Sequence, residues 1–462
     1  MCCLRKTGQK NGLLGACILI MKLEVPKKVQ RIIRTLQEQG YDAYAVGGCV
    51  RDSLLDRSPA DWDITTSAKP MEVKEIFKRT VDTGLQHGTV TVLMEKEGFE
   101  VTTYRIDGEY EDSRHPKEVI FTGNLEEDLK RRDFTINAMA YNDETGLVDV
   151  FGGIRDLESQ IVRCVGNPRE RFTEDALRIL RAVRFSAQLG FAIEKDTAYW
   201  AKALAPTLEK ISAERIQTEL VKLLVSAHPQ YLKTAWELGI TQIVLPEFDA
   251  MMETPQNTPH HCYSVGEHTL KALEYTEADK VQRLAVLFHD MGKPAMRTTD
   301  EQGLDHFHGH PKVSAELARK ILRRLRFDND TIRKVTELVS WHECPWECTP
   351  RSLRRDLSKM DAELFPVLLK IRRADVLAQS EYRREEKLER LEESRRLYEE
   401  IQRKQECISV KMLAVSGKDL IAAGMKPGKE IGDTLNAFLE LVLEDPEKNT
   451  KEYLLSKVRE SL

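Results

Sequence analysis

The stretch "AVGGCVRDSLLDRSPADWDITTS", residues 45 to 67, decides how this chain is read. A strand-like run, "YDAYAVGG", ends on two glycines, and "VRDSLL" begins a helix. A second strand, "DWDITT", then carries Asp61 and Asp63 one residue apart. Side chains at i and i+2 of a strand share a face. Two carboxylates held together repel one another, and a divalent cation removes the repulsion. Mg²⁺ prefers such oxygen ligands and usually borrows others from substrate phosphates. The Gly47-Gly48 turn lets backbone N–H groups approach a phosphate closely, and Arg51 adds a cation. Turn, cation and carboxylate pair together describe a site for a metal-bound nucleoside triphosphate.

Around this stretch, residues 22 to 165 mix strand and helix periods, as expected for an α/β head. "KPMEVKEIFK" reads as a helix, and "GTVTVLMEKEGFEVTTYR" reads as a hairpin turning near Glu97-Gly98. From about 168 strand signals nearly vanish. "EDALRILRAVRFSAQLGF" and "ERIQTELVKLLVS" repeat apolar residues at three and four, which defines a helical neck over 166–250. Prolines and polar breaks in "AMMETPQNTPHH" suggest a linker. A histidine-rich helical body is expected over 251–385 and a helical tail over 386–462. The tail opens on "REEKLERLEESRRLYEEIQRKQE", which reads as a solvated helix with i,i+4 charge pairs. Later in the tail, "GKDLIAAGMKPGKEIG" sets glycines and lysines at helix starts, where either a phosphate contact or a capped surface helix fits.

Composition bounds the class. The 462 residues exceed one compact domain, and 31% charged with 41% hydrophobic residues is ordinary for a soluble chain. A net charge of −5 does not advertise a nucleic-acid binder, although it hides local patches. Nine scattered cysteines fit a reducing cytoplasm. Residues 1–21 read as a leader, with Met21 as a plausible natural start, and no stretch is long and apolar enough for a membrane helix.

Further motifs follow in order: "RRDFTINAMA" at 131–140, "DLESQIVRCVG" at 156–166 and "FTEDALRILRAVRF" at 172–185. With "GGCVRD" and "DWDITT", the set resembles the class II tRNA nucleotidyltransferases, the CCA-adding enzymes, and their relatives the bacterial poly(A) polymerases. The resemblance covers residues 40 to 225 most strongly. It implies a polymerase-beta-like mixed sheet in the head, an all-α neck, body and tail, and a tRNA 3′ end, CTP and ATP as partners. Nucleotidyl transfer needs the attacking 3′ oxygen and the leaving pyrophosphate held in line by metals. Asp61 and Asp63 are the expected Mg²⁺ ligands and Glu100 the candidate third carboxylate. Gly48 and Arg51 are expected at the nucleotide. By resemblance Arg132 contacts it too, and Asp133 and Asn137 organise the helix start or the sugar contacts.

The neck motif suggests how bases are chosen. Cytosine and adenine both present an amino donor beside a ring-nitrogen acceptor, whereas guanine and uracil present the reverse. A carboxylate beside a guanidinium accepts the first pair and leaves unpaired groups against the second. Asp175 and Arg178, read as i and i+3 of one helix, are the expected protein template. Arg181 and Arg184 would meet phosphates or orient it. The polar stretch 107–119, "DGEYEDSRHPKEV", corresponds to the family's flexible loop and argues for adding A as well as C. A poly(A) polymerase, an A-adding specialist, a phosphohydrolase with a non-catalytic head and a non-catalytic RNA-binding protein are the rivals.

In the body, His268, His289, Asp290 and Asp375 match the pattern of HD-type metal phosphohydrolases, and His310 and His342 would complete a second metal position. Imidazole and carboxylate donors suit Mn, Fe, Ni or Zn, and two such metals activate water against a phosphate ester. An inert scaffold for holding tRNA is the competing role. The Cys344/Cys348 spacing is too weak to mark a zinc site.

Overall fold

The computed structural model describes residues 22–107, 119–343 and 347–461. The leader, Cys344 and nearly all of the 107–119 stretch therefore lie outside the described residues. The chain divides into two compact units. One runs to Ile211 and includes Leu238–Ile243, and the other comprises Ser212–Glu237 and Val244–Leu462.

The first unit is built on a seven-stranded mixed sheet. Its strands are β1 (Ala43–Val46), β2 (Ile64–Thr66), β3 (Thr80–Gly84), β4 (Thr89–Met94), β5 (Glu97–Thr103), β6 (Ala140–Asn142) and β7 (Gly146–Val148), in the order β3-β4-β5-β2-β1-β6-β7. The β2–β5 pair is parallel and the other pairs are antiparallel. Helix α1 (Lys27–Glu38) buries Val29, Ile32, Ile33 and Leu36, the spacing of one helical face. Tyr44, Val46, Tyr104, Leu129, Ala138, Ala140 and Val165 form a buried cluster.

Three local expectations are corrected. Asp61 and Asp63 precede β2 rather than lying within it, although the Val46 N–H donates to the Asp63 carbonyl at 3.0 Å. Helix α2 (Gly48–Leu54) begins two residues early, because Gly47 adopts φ +82°, the left-handed region that favours glycine, and ends β1 at once. The hairpin turns at Glu95-Lys96, not Glu97-Gly98. There Glu95 itself takes φ +59°, and Lys28 Nζ sits 2.9 Å from its carboxylate and 3.2 Å from that of Glu97, holding both sides of the turn.

Still in this unit, α3 (Pro70–Ile76), α4 (Leu125–Lys130), α5 (Pro168–Glu174) and α6 (Leu177–Leu189) follow. The second unit is helical. Its main elements are α7 (Ala213–Leu224), α8 (Val265–Glu274), α9 (Lys280–Phe288), α10 (His310–Arg324), α11 (Asn329–Trp341), α12 (Phe365–Ala378) and α13 (Arg384–Arg403). Ser264, Asp279 and Asp328 cap α8, α9 and α11 through their side-chain oxygens. The proline-rich 250–260 stretch is not a free linker. Both its flanks belong to this unit, and Ser380 donates from its N–H to the His260 carbonyl and from its Oγ to that of Pro259, at 2.9 and 2.6 Å. In the tail, α14 (Gly417–Ala422) is capped by Ser416, which exchanges bonds with Asp419, so its N-terminus is satisfied from within. Among the described residues no helix is long and apolar enough to cross a membrane.

Candidate active site and metal centre

In the first unit the sheet register assembles the acidic group. Ile64 of β2 pairs with Val101 of β5 in parallel, so the preceding residues, Asp63 and Glu100, stand side by side. Asp61, Asp63 and Glu100 line one cleft with Trp62 and Phe99, and all three carboxylates reach solvent. Crowding by surrounding atoms, and then the charge of Asp61, pushes the Asp63 carboxyl above its usual range against the pull of Arg132. Glu100 is raised by the same partial burial and then by Asp63 and Asp61. Asp63 and Glu100, each raised by its carboxylate neighbours, fit a divalent cation beside Asp61. Among the described residues, the sets of three donors converging within 4.8 Å lie elsewhere. A cation on Asp61 and Asp63 would draw its remaining oxygens from phosphate and water, as Mg²⁺ commonly does.

Beside this cleft the guanidinium of Arg132 covers the glycine turn. A Cβ on Gly47 would lie 3.0 Å from Arg132 Nη1, so a larger residue there would push the guanidinium aside as well as strain the positive φ. Arg132 Nε is buried without a hydrogen-bond partner. Arg51 is buried, donating to Asp52 at 2.9 Å and to Asn137 at 2.5 Å, so its charge is tied beneath the turn that begins at Gly48. Asp128 was not singled out from sequence. It is fully buried, accepts from Arg131 at 2.7 Å and from Thr65 at 3.1 Å, and lies 3.5 Å from Arg132, so it orients both arginines of "RRD". Its place three and four residues before them on a helical turn was the available signal.

The neck residues sit differently from expectation. Asp175 and Arg178 do not share a helix: α5 ends at Glu174, and Asp175 takes φ −140° at the break. Its carboxylate accepts the Leu177 N–H at 3.1 Å, the competition that draws aspartate from helix interiors to caps. The break leaves Asp175 half-buried in front of the N-terminus of α6. Arg178 is aimed by Glu174 at 2.6 Å, the Arg131 carbonyl at 3.0 Å and the Arg171 carbonyl at 3.2 Å. Glu174 is a second residue missed from sequence, visible only as the neighbour of Asp175. Arg181 donates to buried Asp133 at 2.7 Å, and Asn137 donates to the same carboxylate at 3.1 Å. Arg184 is buried over the Phe185 ring and bonded to Gln188.

In the second unit all six expected donors come together. His268, His289 and Asp375 form one converging set and Asp290, His310 and His342 another. Asp290 faces both. Its Oδ2 lies 3.2 Å from His289 Nε2 and 3.7 Å from His268 Nε2. Its Oδ1 lies 3.2 Å from His310 Nε2 and 3.6 Å from His342 Nε2. His289 and His342 end α9 and α11, and His310 begins α10. Each donates Nδ1–H to the carbonyl three residues back, on Val286, Val339 and Phe307, at 2.6, 2.7 and 2.8 Å. That bond fixes Nε2 as the lone-pair nitrogen. The Nε2 atoms of His310 and His342 are 3.2 Å apart, so two lone pairs face each other, an arrangement a cation satisfies. His289 Nε2 and Asp290 Oδ2 are buried against each other, and Lys293 Nζ lies 2.8 Å from the same carboxylate oxygen. Gly292 permits the assembly, since a Cβ there would lie 2.7 Å from the His310 carbonyl. Cys348 lines the adjoining cleft.

Three family models match the chain: "Poly A polymerase head domain" over 43–163, "Probable RNA and SrmB- binding site of polymerase A" over 190–252, and tRNA nucleotidyltransferase domain 2 over 298–458. A CCA-adding enzyme of Enterococcus faecalis is 53% identical over 204 residues, a match that spans 44% of this chain and half, 50%, of that relative. A CCA-adding enzyme of Lactobacillus helveticus is 36% identical over 426 residues, 92% of this chain and 94% of that one. The crystal structure of the Bacillus stearothermophilus CCA-adding enzyme in complex with CTP is 30% identical, covers 94% of this chain and 96% of its own, and superposes with a TM-score of 0.70. With relatives matched along nearly its whole length, and a polymerase-type head followed by a helical body, the chain belongs to the CCA-adding enzyme family.

Proposed function

We propose that this protein completes the 3′ end of tRNA, adding C, C and then A from CTP and ATP without a nucleic-acid template, in the cytoplasm. The observation that carries the proposal is the similarity, along 92% of the chain, to a CCA-adding enzyme. The relative solved with CTP supports a nucleotide in the head. Asp61 and Asp63, with Glu100 beside them, would hold Mg²⁺. Bound there, Mg²⁺ supplies charge neutralisation at the triphosphate and lowers the pKa of the attacking 3′ hydroxyl. Arg132 and the backbone of the Gly47-Gly48 turn hold phosphate oxygens. Asp175 accepts from the exocyclic amine of C or A, and Arg178, aimed by Glu174, donates to the neighbouring ring nitrogen. Guanine and uracil would leave both groups unpaired, a cost of about 1–3 kcal/mol each. Arg181, Asp133 and Asn137 hold the neck helix against "RRD", and Arg51 and Arg184 pack with them around Phe185.

The test uses tRNA transcripts ending at the discriminator base, at C and at CC, each given Mg²⁺ with CTP, ATP or both. Extension that stops at CCA on all three is expected. Long A tails would make the protein a poly(A) polymerase, and extension of the CC transcript alone would make it an A-adding specialist.

The two facing donor sets favour a second reading for the helical unit. His268, His289 and Asp375 would hold one transition-metal ion of the Mn, Fe, Ni or Zn type, and His310 and His342 another, with Asp290 between them. Two such ions supply an activated water for phosphate-ester hydrolysis.

A further inference from the structure

The second unit carries a cleft of about 540 Å³ against the histidine–aspartate donors, and its walls are not those the sequence pointed to. Arg372, Asp375, Val376 and Gln379 line it from α12, and Lys387, Arg390, Leu391 and Ser394 line it from α13. Both sets run i, i+3, i+4, i+7, so each helix presents one continuous face to the cleft. The charged sequence of α13, which alone reads as a solvated surface helix, thus supplies two cations to the wall of a cavity that also contains His310, His342 and Asp375.

The cations are connected to the donors in a defined way. Lys387 Nζ lies 3.1 Å from His260 Nδ1 and donates to Gln379 Oε1. Gln379 Nε2 in turn donates to both oxygens of Asp375, at 3.2 and 3.1 Å. Arg372 stands one turn before Asp375 on the same face. Arg390 lies on the next turn of α13 after Lys387, with its outer nitrogen 3.6 Å from Glu386. The carboxylates of the lining are committed elsewhere: Asp375 belongs to the donor set, Asp305 accepts from Arg297 at 3.0 Å, and Glu343 lies 3.4 Å from His310. The fourth cation, Lys293, is held 2.8 Å from Asp290. Arg372, Lys387 and Arg390 thus line one opening beside the six converging donors. Guanidinium forks match phosphate oxygens, and an ammonium adds a point charge.

Resting on the two-metal reading of the six donors, we propose that Arg372, Lys387 and Arg390 form an anion clamp that holds the phosphate of an ester against that centre, with α13 as its outer jaw. The clamp makes affinity depend on negative charge at the phosphate, so a neutral ester of the same size binds poorly.

The experiment titrates inorganic phosphate into the full-length, metal-loaded protein by calorimetry and measures bound metal in the same samples. The wild type is compared with a Lys387→Ala/Arg390→Ala double variant and with Lys387→Arg. The double variant is expected to keep the wild-type metal content and to bind phosphate at least tenfold more weakly, with Lys387→Arg close to wild type. Unchanged phosphate affinity in the double variant would overturn the clamp. Loss of metal from the double variant would overturn it too, since Lys387 would then act on Asp375 through Gln379 rather than on the anion. A wild-type protein that binds no metal would end the two-metal reading separately. Phosphate affinity in that metal-free protein would still decide the clamp, supporting it if the double variant weakens binding and overturning it if not.

Discussion

The two candidate cation sites of this chain are built in opposite ways. In the head, Asp61, Asp63 and Glu100 are oxygen donors that reach solvent and line an open cleft. In the helical unit, six donors are mostly buried, four of them imidazoles whose outer nitrogens are largely locked to backbone carbonyls, and Asp290 serves both halves. On the proposed function, a triphosphate would complete the first arrangement, which would suit release of pyrophosphate after each addition. The second is complete within the protein, which suits an ion that stays. Ligand softness points the same way, since carboxylates suit Mg²⁺ and imidazoles suit transition metals.

The comparison can be broken first at the head. Asp61→Ala should reduce nucleotide incorporation about a thousandfold, the several kcal/mol that a catalytic metal supplies, while gel-shift affinity for tRNA survives. Persisting incorporation would remove the metal assignment. Next in size, Asp133→Asn should cost about 3 kcal/mol of stability by leaving the Arg181 guanidinium without its buried partner, read as a fall in Tm. Burial alone would raise Asp133, but Arg181 and Asn137 outweigh it and hold its carboxyl well below the ordinary 3.8. Its contribution is therefore complete above that value and fades as pH falls further. The wild-type advantage over Asp133→Asn should shrink in acid, and a gap that widens there would contradict the pairing. Asp175→Ala should lower discrimination between CTP or ATP and the other two triphosphates by about 10- to 100-fold, one lost buried bond's worth. Glu174→Gln should have the smallest effect, a severalfold rise in KM for the nucleotide with kcat little changed, because Arg178 keeps its two carbonyl partners.

Much of this was legible in the sequence because spacing carried it. Gly47, the Asp61/Asp63 pair and the six body donors each stand at fixed offsets within short motifs. What escaped notice depended on pairing between elements. The turn at Glu95 carries an ion pair to Lys28, 67 positions away along the chain. Asp175 looked helical by periodicity, and only its preference for the Leu177 N–H broke the helix. Asp128 and Glu174 stand three or four residues from their arginine partners, a local signal, but that spacing does not tell that Asp128 is fully buried. Helix α13 shows the same limit: its i,i+4 charge pattern describes its solvent side and is silent about the face it turns to the cleft.

The most direct test of the contrast is a metal analysis of the purified protein after prolonged dialysis against metal-free buffer, without nucleotide. About two tightly held transition-metal ions per chain are expected, unaffected by Asp61→Ala and lost on Asp290→Ala, with no Mg²⁺ retained. Metal content that follows Asp61 instead of Asp290, or a dialysed protein that keeps Mg²⁺ and no transition metal, would contradict it.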